Sequence, residues 1–212
     1  MKNEKKLIAV ELAVFAAFIL TVAVSSFFRL EKTCDNIKEN VLRLHVIANS
    51  DSDEDQKLKL AVRDAILSAG SPLFDGEVNT KNAAEIAKSE TKYLEQAAQA
   101  VIDENGFDYG VKIEVGKSRF PTRVYEDVTL PAGEYTAVRV ILGKGEGHNW
   151  WCVMFPPMCL SAAEGDASLS DVLSQDALEL TRSGKKYEVK FKLIEWYENI
   201  KAAISDRASK AG

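Results

Sequence analysis

Two cysteines and a histidine in one short stretch are the residues whose types and spacing could do chemistry. Six residues separate Cys152 from Cys159, and His148 precedes both. The arrangement allows a disulfide bridge, a metal site, or a thiol nucleophile assisted by histidine. A metal site is disfavoured because a fourth ligand is lacking nearby and the spacing exceeds the usual Cys-x2–4-Cys. Thiol catalysis is disfavoured because the local sequence resembles no nucleophile motif.

A tryptophan pair stands directly before the first of these cysteines. Trp150 and Trp151 are adjacent, and Pro156-Pro157 follows them, so a continuous helix or central strand cannot run from Cys152 to Cys159. Neighbouring strand residues point to opposite faces, and we therefore expect one ring in the core and the other exposed. An exposed tryptophan on a rigid loop suits either protein recognition or stacking on a sugar.

An acidic cluster lies earlier in the chain. Asp51, Asp53 and Asp55 alternate as in the first half of an EF-hand calcium loop. Gln56 occupies the sixth position, where the loop needs glycine, and Val62 occupies the twelfth, where it needs a bidentate glutamate. Capping of a helix N-terminus explains the cluster instead, and an acidic surface patch beside the cap stays open as an alternative.

Other candidate motifs are weak. Gly143, Gly145 and Gly147 lack the spacing of phosphate-binding loops and indicate a mobile loop suited to recognition. A G-x-S-x-G nucleophile elbow is missing, and His45 within an apolar strand is typical of a hydrogen-bonded core imidazole. Paired-carboxylate hydrolysis stays open, because acidic residues are plentiful and one sequence does not show their geometry. We predict no catalytic residue, metal or cofactor.

The N-terminus predicts export. Met1–Lys6 carries three lysines against one glutamate, and Leu7–Phe28 is apolar except for Glu11. A basic start, an apolar run and small residues at Ala23–Ser25 are typical of a cleaved signal peptide. The same residues also fit an uncleaved signal anchor that attaches the protein to the membrane. Both interpretations place the chain after about residue 30 outside the cytoplasm.

We divide the chain into a signal peptide or signal anchor at 1–30 and one exported domain at 31–212. About 180 residues suffice for one core, and a formal net charge of -5 argues against nucleic acid as a partner. Outside the cytoplasm, Cys152 and Cys159 are the obvious disulfide pair, worth about 2.5 kcal/mol by loop closure. Cys34 would then stay free, pair between chains, or replace one of them.

The residue patterning predicts an α+β domain, with helices packed on a mainly antiparallel or mixed sheet. We expect a strand at Val41–Ala48, buried on both faces, and then a helix capped by Ser52. After these we expect a single helix over Lys81–Glu104, a strand at Val111–Val115, and a hairpin that joins Thr122–Leu130 to Tyr135–Leu142 through Pro131-Ala132-Gly133. A strand through the tryptophans to Phe155, a loop at Ser161–Ser168 and a helix over Leu169–Leu180 follow, and then a short strand or helix lead-in at Val189–Leu193. The last expected helix has an apolar stripe of Trp196, Tyr197, Ile200, Ala203 and Ile204, while Glu195, Glu198 and Lys201 face water.

Three segments resemble the stage II sporulation protein R family of endospore-forming bacteria. They are Leu42–Ser52 with Asp55-Gln56 (LRLHVIANSDS, DQ), Phe120–Arg123 leading to Leu130–Tyr135 (FPTR, LPAGEY), and Asn149–Cys159 (NWWCVMFPPMC). Together with the apolar N-terminus and the order of elements, the resemblance covers nearly the whole chain. Cys34 has no counterpart in the family pattern.

The resemblance implies a signalling protein and not an enzyme. Such proteins are made in the forespore, are exported into the space between the two membranes, and activate a membrane-embedded aspartic protease of the mother cell, which then processes a pro-sigma factor. The alternative class is a peptidoglycan hydrolase or glycan-binding module in which the tryptophans stack on sugar. For the signalling class, the predicted partner-binding residues are His148, Asn149, Trp150, Trp151, Phe155, Pro156, Pro157, Asn49 and Asp51.

Overall fold

The structure is a computed structural model that describes residues 2–74, 80–125, 128–156, 158, 169–182 and 188–211. Those residues form seven α-helices, six strands and a 3-10 turn at Ser71–Phe74. In chain order the elements are α1 Lys2–Glu39, β1 Leu42–Ile47, α2 Asp53–Gly70, α3 Thr80–Ser89, α4 Thr91–Glu104, β2 Val111–Phe120, β3 Arg123–Tyr125, β4 Val128–Leu130, β5 Gly133–Leu142, β6 Asn149–Phe155, α5 Leu169–Val172, α6 Gln175–Arg182 and α7 Glu188–Ala211.

Strand β1 lies inside the main sheet, whose strand order is β2-β5-β1-β6. It runs parallel to β5, with Val46 opposite Val140, and antiparallel to β6, with Leu44 opposite Cys152. Both edges of β1 are thereby hydrogen-bonded, and its side chains, mostly apolar but including Arg43 and His45, are buried with little alternation. The mixed sheet with helices on it confirms the α+β fold.

Each face of the sheet carries its own apolar cluster. On one face, Leu44 and Val46 of β1 join residues of α2 and α4 such as Ile66 and Leu94. On the other face, Tyr135 and Ala137 of β5 join buried residues of α1, α6 and α7. These helix residues are Cys34, Ile37, Ala177, Leu180, Phe191 and Ile194. The sheet is therefore the middle of three layers.

The start of α2 confirms the predicted cap. The Ser52 hydroxyl accepts a hydrogen bond from the Asp55 backbone N–H, and three acidic residues occupy the first turn of the helix. These carboxylates lie where the positive end of the helix dipole favours them.

Two helices predicted as continuous are each divided into two. The one expected over Lys81–Glu104 breaks between α3 and α4, where the Thr91 hydroxyl bonds to the carbonyls of Ala87 and Lys88. Such side-chain bonds to the preceding turn compete with the helix ladder. The helix expected over Leu169–Leu180 stops after α5, and Ser174 caps α6 by accepting from the Ala177 N–H at 3.4 Å.

The predicted hairpin between Thr122–Leu130 and Tyr135–Leu142 is wrong. Strand β5 pairs along its whole length with β2, Phe120 lying opposite Gly133 and Val111 opposite Leu142. Strands β3 and β4 instead form a separate two-stranded sheet. The long partner wins because ten matched residues satisfy far more backbone groups than three.

The last helix is also oriented differently from the expectation. Helix α7 begins at Glu188, so the strand considered for Val189–Leu193 is not formed, and Trp196 and Ile204 point to solvent. Glu198, expected to face water, is buried, because its carboxylate receives the Lys38 ammonium at 2.7 Å. Burial alone would lower the pKa of Lys38, but hydrogen bonds to Asp35 and Glu198 outweigh it and raise that pKa.

Helix α1 connects the apolar N-terminus to the domain without a break. It is the one helix, within the described part of the chain, long and apolar enough to cross a membrane, which fits a signal or membrane-anchor segment. Its C-terminal part belongs to the domain core, where Cys34 and Ile37 have no exposed surface. The predicted boundary near residue 30 therefore falls inside a continuous helix.

Cys34 provides a test of this packing. It is a free, fully buried thiol, and burial raises its pKa to about 12. Since the thiolate is the reactive form, we expect Cys34 to resist alkylation in the native protein at pH 8 and to react once guanidinium unfolds the chain. Peptide mass spectrometry after pulse labelling measures this, and native labelling of Cys34 would contradict the packing of α1.

Candidate functional site

The candidate site lies where β1 ends and β6 begins. The connection from β5 to β6, residues 143–148, folds over the turn that leads from β1 into α2. Glu146 N–H donates to the Asn49 carbonyl at 3.2 Å, and Gly147 N–H donates to the Ala48 carbonyl at 2.9 Å. Main-chain hydrogen bonds therefore tie the glycine loop, expected to be mobile, to the neighbouring turn.

Glycine is required in this loop by close approach of the chain. A Cβ atom on Gly147 would lie 2.2 Å from the Ser50 carbonyl oxygen, a distance that only backbone movement could relieve. Gly143 has a φ of +51° and faces the Asn49 side chain, whose oxygen accepts from the Lys144 N–H at 3.0 Å. The spaced glycines let two loops pack, which explains them without a nucleotide.

The carboxylate of Asp55 holds the base of the site together. Only 4% of Asp55 is exposed, and it accepts hydrogen bonds from Asn49 Nδ2, Ser50 Oγ and the Tyr109 hydroxyl. Burial alone would raise the pKa of Asp55, but the bonds from Ser50, Tyr109 and Asn49 outweigh it and lower that pKa. Asp55 is thus a buried acceptor beneath the loop, beyond the capping role predicted for the acidic cluster.

His148 is held above this base by Asp51. The Asp51 carboxylate accepts from the His148 backbone N–H at 2.6 Å and contacts its ring Nδ1, and these hydrogen bonds lower the pKa of Asp51. From below, Lys59 Nζ donates to the His148 carbonyl at 3.0 Å and Gln56 Nε2 donates to the Ser50 carbonyl at 2.8 Å. Both side chains of the upper pair, His148 and Asp51, remain largely exposed.

The two residues after His148 complete an exposed edge. Asn149 is exposed and its Oδ1 lies 2.9 Å from His45 Nε2. Trp150 is 37% exposed, with the Arg63 guanidinium 4.6 Å from its ring centroid. We name Asp51, His148, Asn149 and Trp150 the β6 edge, because β6 is the outer strand of the main sheet on that side.

Trp151 points to the opposite face and is packed. Its ring stacks on His45 with centroids 3.9 Å apart and lies edge-on to Phe120 at 4.8 Å. Burial lowers the pKa of His45, and the ring is hydrogen-bonded to Asn149, as expected for a core histidine. The prediction that the two tryptophan rings point to opposite faces is confirmed, and Trp151 is partly buried against the core cluster of its face.

The C-terminal part of the Asn149–Cys159 segment lies in the protein interior, beneath the candidate site. Phe155 is 1% exposed and packs against Phe74 at 5.8 Å, so it lies in the core and not at a partner surface. Pro156 is buried as well. Pro157 and Cys159 lie outside the described residues, and the Cys152–Cys159 bridge stays a prediction.

Arg43 is a determinant of the site that the sequence analysis missed. It is fully buried in β1, its Nε donates to the Cys152 carbonyl at 2.9 Å, and its Nη2 donates to the Tyr125 hydroxyl at 2.6 Å. Its guanidinium also lies over the rings of Phe120 and Tyr135, at 4.2 and 4.9 Å from their centroids. Burial lowers the pKa of Arg43, while the nearby Tyr125 raises it.

This arginine fixes the backbone of β6 from the inner side. Tyr125, which accepts from Arg43, donates in turn to the Trp151 carbonyl at 3.2 Å. Arg43 and Tyr125 thereby hold the carbonyls of Trp151 and Cys152, just after the exposed edge. A signal was present in the sequence: an arginine in a strand expected to be buried on both faces must itself be buried and paired.

The comparisons with known proteins bear on this same region. A family model described as stage II sporulation protein R matches residues 38–165, which include β1, the β6 edge and Arg43. The chain belongs to the stage II sporulation protein R family. It is similar to stage II sporulation protein R of Bacillus subtilis (strain 168), with 31% identity over an alignment of 185 residues; the match spans 77% of this chain and 83% of the relative. No solved structure matches.

Membership assigns a role in sporulation to this family member. The three segments that carried the resemblance all fall within the matched residues, whereas Cys34 and nearly all of α1 precede them and α7 follows them. The residues of the β6 edge therefore lie inside the segment that the family model matches, and the last helix lies outside it.

Replacement of the buried carboxylate tests the base of the site. We expect Asp55→Asn to lower the free energy of unfolding by roughly 2–4 kcal/mol at pH 7, because charge-assisted bonds are lost. The folded pKa of Asp55 lies below its ordinary value of 3.8, so this stabilisation is present above about pH 4 and disappears as the pH falls through the folded pKa.

Urea unfolding of wild type and Asp55→Asn across pH 2.5–7 measures both effects. The exposed first-turn residue Asp53, changed to Asn, is the matched control and should cost under about 1 kcal/mol. Equal losses for the two variants would show that Asp55 acts only through the helix dipole.

A second variant tests how Arg43 and Tyr125 hold the backbone of β6. Arg43→Lys keeps the charge but cannot bond Cys152 and Tyr125 through one planar fork, and we expect a loss of roughly 2–4 kcal/mol of stability. Arg139→Lys, at the surface pair with Glu114, is the control and should change stability by under about 0.5 kcal/mol. Chemical unfolding followed by circular dichroism measures the stability of both variants. An Arg43→Lys variant as stable as wild type would contradict the role given to Arg43 in holding β6.

Proposed function

We propose that this protein is an exported sporulation signal that acts by binding: it engages a membrane-embedded aspartic protease of the mother cell and so triggers processing of a pro-sigma factor. The observation that carries the proposal is the β6 edge, an exposed polar and aromatic patch on a rigid base. The alternative, a peptidoglycan hydrolase or glycan-binding module, would require a tryptophan ring that is free to stack on a sugar.

Preorganisation supports binding by this edge. His148 is bonded through its N–H, its ring and its carbonyl, and Asn149 is fixed by His45. Such residues lose little conformational freedom when a partner docks, so more of the contact energy appears as affinity. Trp150 supplies the large, partly exposed side chain that dominates many protein interfaces.

The environment of three potential catalytic groups, Cys34, His45 and Asp55, also supports binding over chemistry. Cys34 is buried with its thiol held protonated, and His45 is stacked in the core. The carboxylate of Asp55 receives three side-chain donors beneath the loop. Each of these groups is engaged in holding the fold.

The surroundings of Trp150 disfavour the glycan alternative. Arg63 lies over the indole at 4.6 Å, so that ring face is covered and is not free to stack on a sugar. Trp150 follows the exposed His148 and Asn149 at the start of β6, so this end of the strand presents apolar and hydrogen-bonding groups together, as a protein-binding surface does.

Export agrees with the apolar part of α1, which has the length and hydropathy of a signal or anchor segment. An exported domain made in the forespore would face the space between the membranes, where a protease in the mother-cell membrane is within reach. Forespore synthesis and the identity of the receptor come from the family resemblance and belong to this proposal.

Trp150→Ala is the decisive variant for the β6 edge. We expect the protein to fold and to be exported, while pro-sigma factor processing in cells that co-express the protease falls at least ten-fold, as for loss of one interface hot spot. Immunoblotting of the two sigma-factor forms measures the effect. Trp151→Ala is a poor probe, because Trp151 stacks on His45 and its loss would disturb the core.

Tyr93→Ala is the matched control, since Tyr93 is an exposed aromatic residue on α4. It should leave processing unchanged. The proposal fails if Trp150→Ala supports normal processing, or if the purified protein cleaves or retains peptidoglycan and Trp150→Ala abolishes that activity.

A further inference from the structure

Helix α7 carries an apolar stripe on the face that points away from the core. Its members are spaced four, three, four and four residues apart and so lie on one side of the helix. The opposite side, with Phe191, Ile194 and Glu198, is buried. The stripe residues are between 39% and 72% exposed: Val189, Leu193, Trp196, Ile200 and Ile204.

This stripe borders the apolar helix α1. The Tyr197 ring lies edge-on to Phe27, with centroids 5.3 Å apart, and its hydroxyl donates to Glu31 at 2.7 Å. Tyr197 follows Trp196 directly, so the side of α7 that contacts α1 adjoins the stripe. On α1 itself, Val24 and Phe28 are exposed just before the contact. An exposed apolar surface therefore continues from the candidate membrane span onto α7.

Charged side chains lie beside the part of α1 that contacts α7. A cavity of about 530 Å³ lies between α1, α6 and α7, and its lining includes Arg29, Asp176, Glu179 and Lys190. Thr21, Val22 and Ser25 of α1 line the same cavity, so the charged groups reach the level of the last part of the apolar run. Charged side chains are costly in the hydrocarbon layer and acceptable among lipid headgroups. The part of α1 next to α7 thus suits the headgroup region, and the apolar run before it suits the hydrocarbon layer.

We propose that the stripe of α7 inserts into the surface of the same phospholipid bilayer that α1 enters, so that two elements hold the domain against the membrane. An apolar helix face at the level of the headgroups is the arrangement of interfacial helices, and tryptophan is the side chain enriched there. The proposal does not depend on protease activation, and α7 lies outside the residues that the family model matches.

A second membrane contact would restrict rotation of the domain about the α1 axis. With α1 alone, the domain could turn freely above the bilayer. With α7 also bound, one side of the domain faces the lipid and the remaining sides, including those available to a partner, keep a constant orientation. Orientation of this kind raises the effective concentration of a surface patch for a partner in an opposing membrane.

The test uses tryptophan emission of the full chain reconstituted into phosphatidylethanolamine–phosphatidylglycerol vesicles with brominated acyl chains, which quench only indoles at or below the headgroups. Subtraction of the Trp196→Phe spectrum from the wild-type spectrum isolates Trp196, because Trp150 and Trp151 are common to both. We expect this component to be quenched at least two-fold relative to unbrominated vesicles and to be shielded from aqueous iodide.

The matched control carries Trp196→Phe together with Ser205→Trp, which moves the indole to an exposed position on the opposite side of the same helix. Its added emission should be quenched by iodide and not by brominated lipid. Protection of Cys34 from labelling verifies that each variant is folded. The proposal is overturned if Trp196 is quenched by iodide alone. It is equally overturned if Trp196 is shielded from both quenchers, since a protein partner or a second copy would then cover the stripe.

Discussion

The whole domain depends on strand β1 being hydrogen-bonded along both edges and covered on both faces. Its parallel partner β5 and antiparallel partner β6 are far from it in sequence, so the sheet forms only when these distant segments of the chain come together. Each face then needs its own helices, which is why α2 and α4 occupy one side and parts of α1, α6 and α7 occupy the other. Buried backbone groups leave no other solution.

The candidate site is a consequence of how β1 ends. At its C-terminal end the chain turns into α2, and the loop before β6 closes on that turn with Asp55 beneath and Asp51 above. On the inner side, Arg43 bonds the carbonyl of Cys152. Polar groups on both sides of β6 therefore hold its first residues in place, because most buried polar groups must find hydrogen-bond partners.

The sequence predicted correctly those features that depend on neighbouring residues alone. The Ser52 cap, the apolar pattern of β1 and the opposite directions of Trp150 and Trp151 follow from rules that involve neighbouring residues only, and the structure confirms them. Other expectations failed where distant residues compete. The pairing of β5 with β2 replaced a plausible hairpin, and α7 buries the face with Phe191, Ile194 and Glu198, so that its apolar stripe faces outward. Such competition is not visible in a local pattern.

The sequence by itself determined the α+β class, the export-like N-terminus, the family, and the segment that carries the exposed tryptophan. Each depends on composition, periodicity or the order of residue types along the chain. Only the tertiary structure decided that Asp55 and Arg43 hold that segment in place, that Phe155 lies in the core, and that Cys34 is enclosed by the sheet and its helices. These outcomes depend on which distant groups meet in a dry interior, where an unpaired charge costs more than any local propensity supplies.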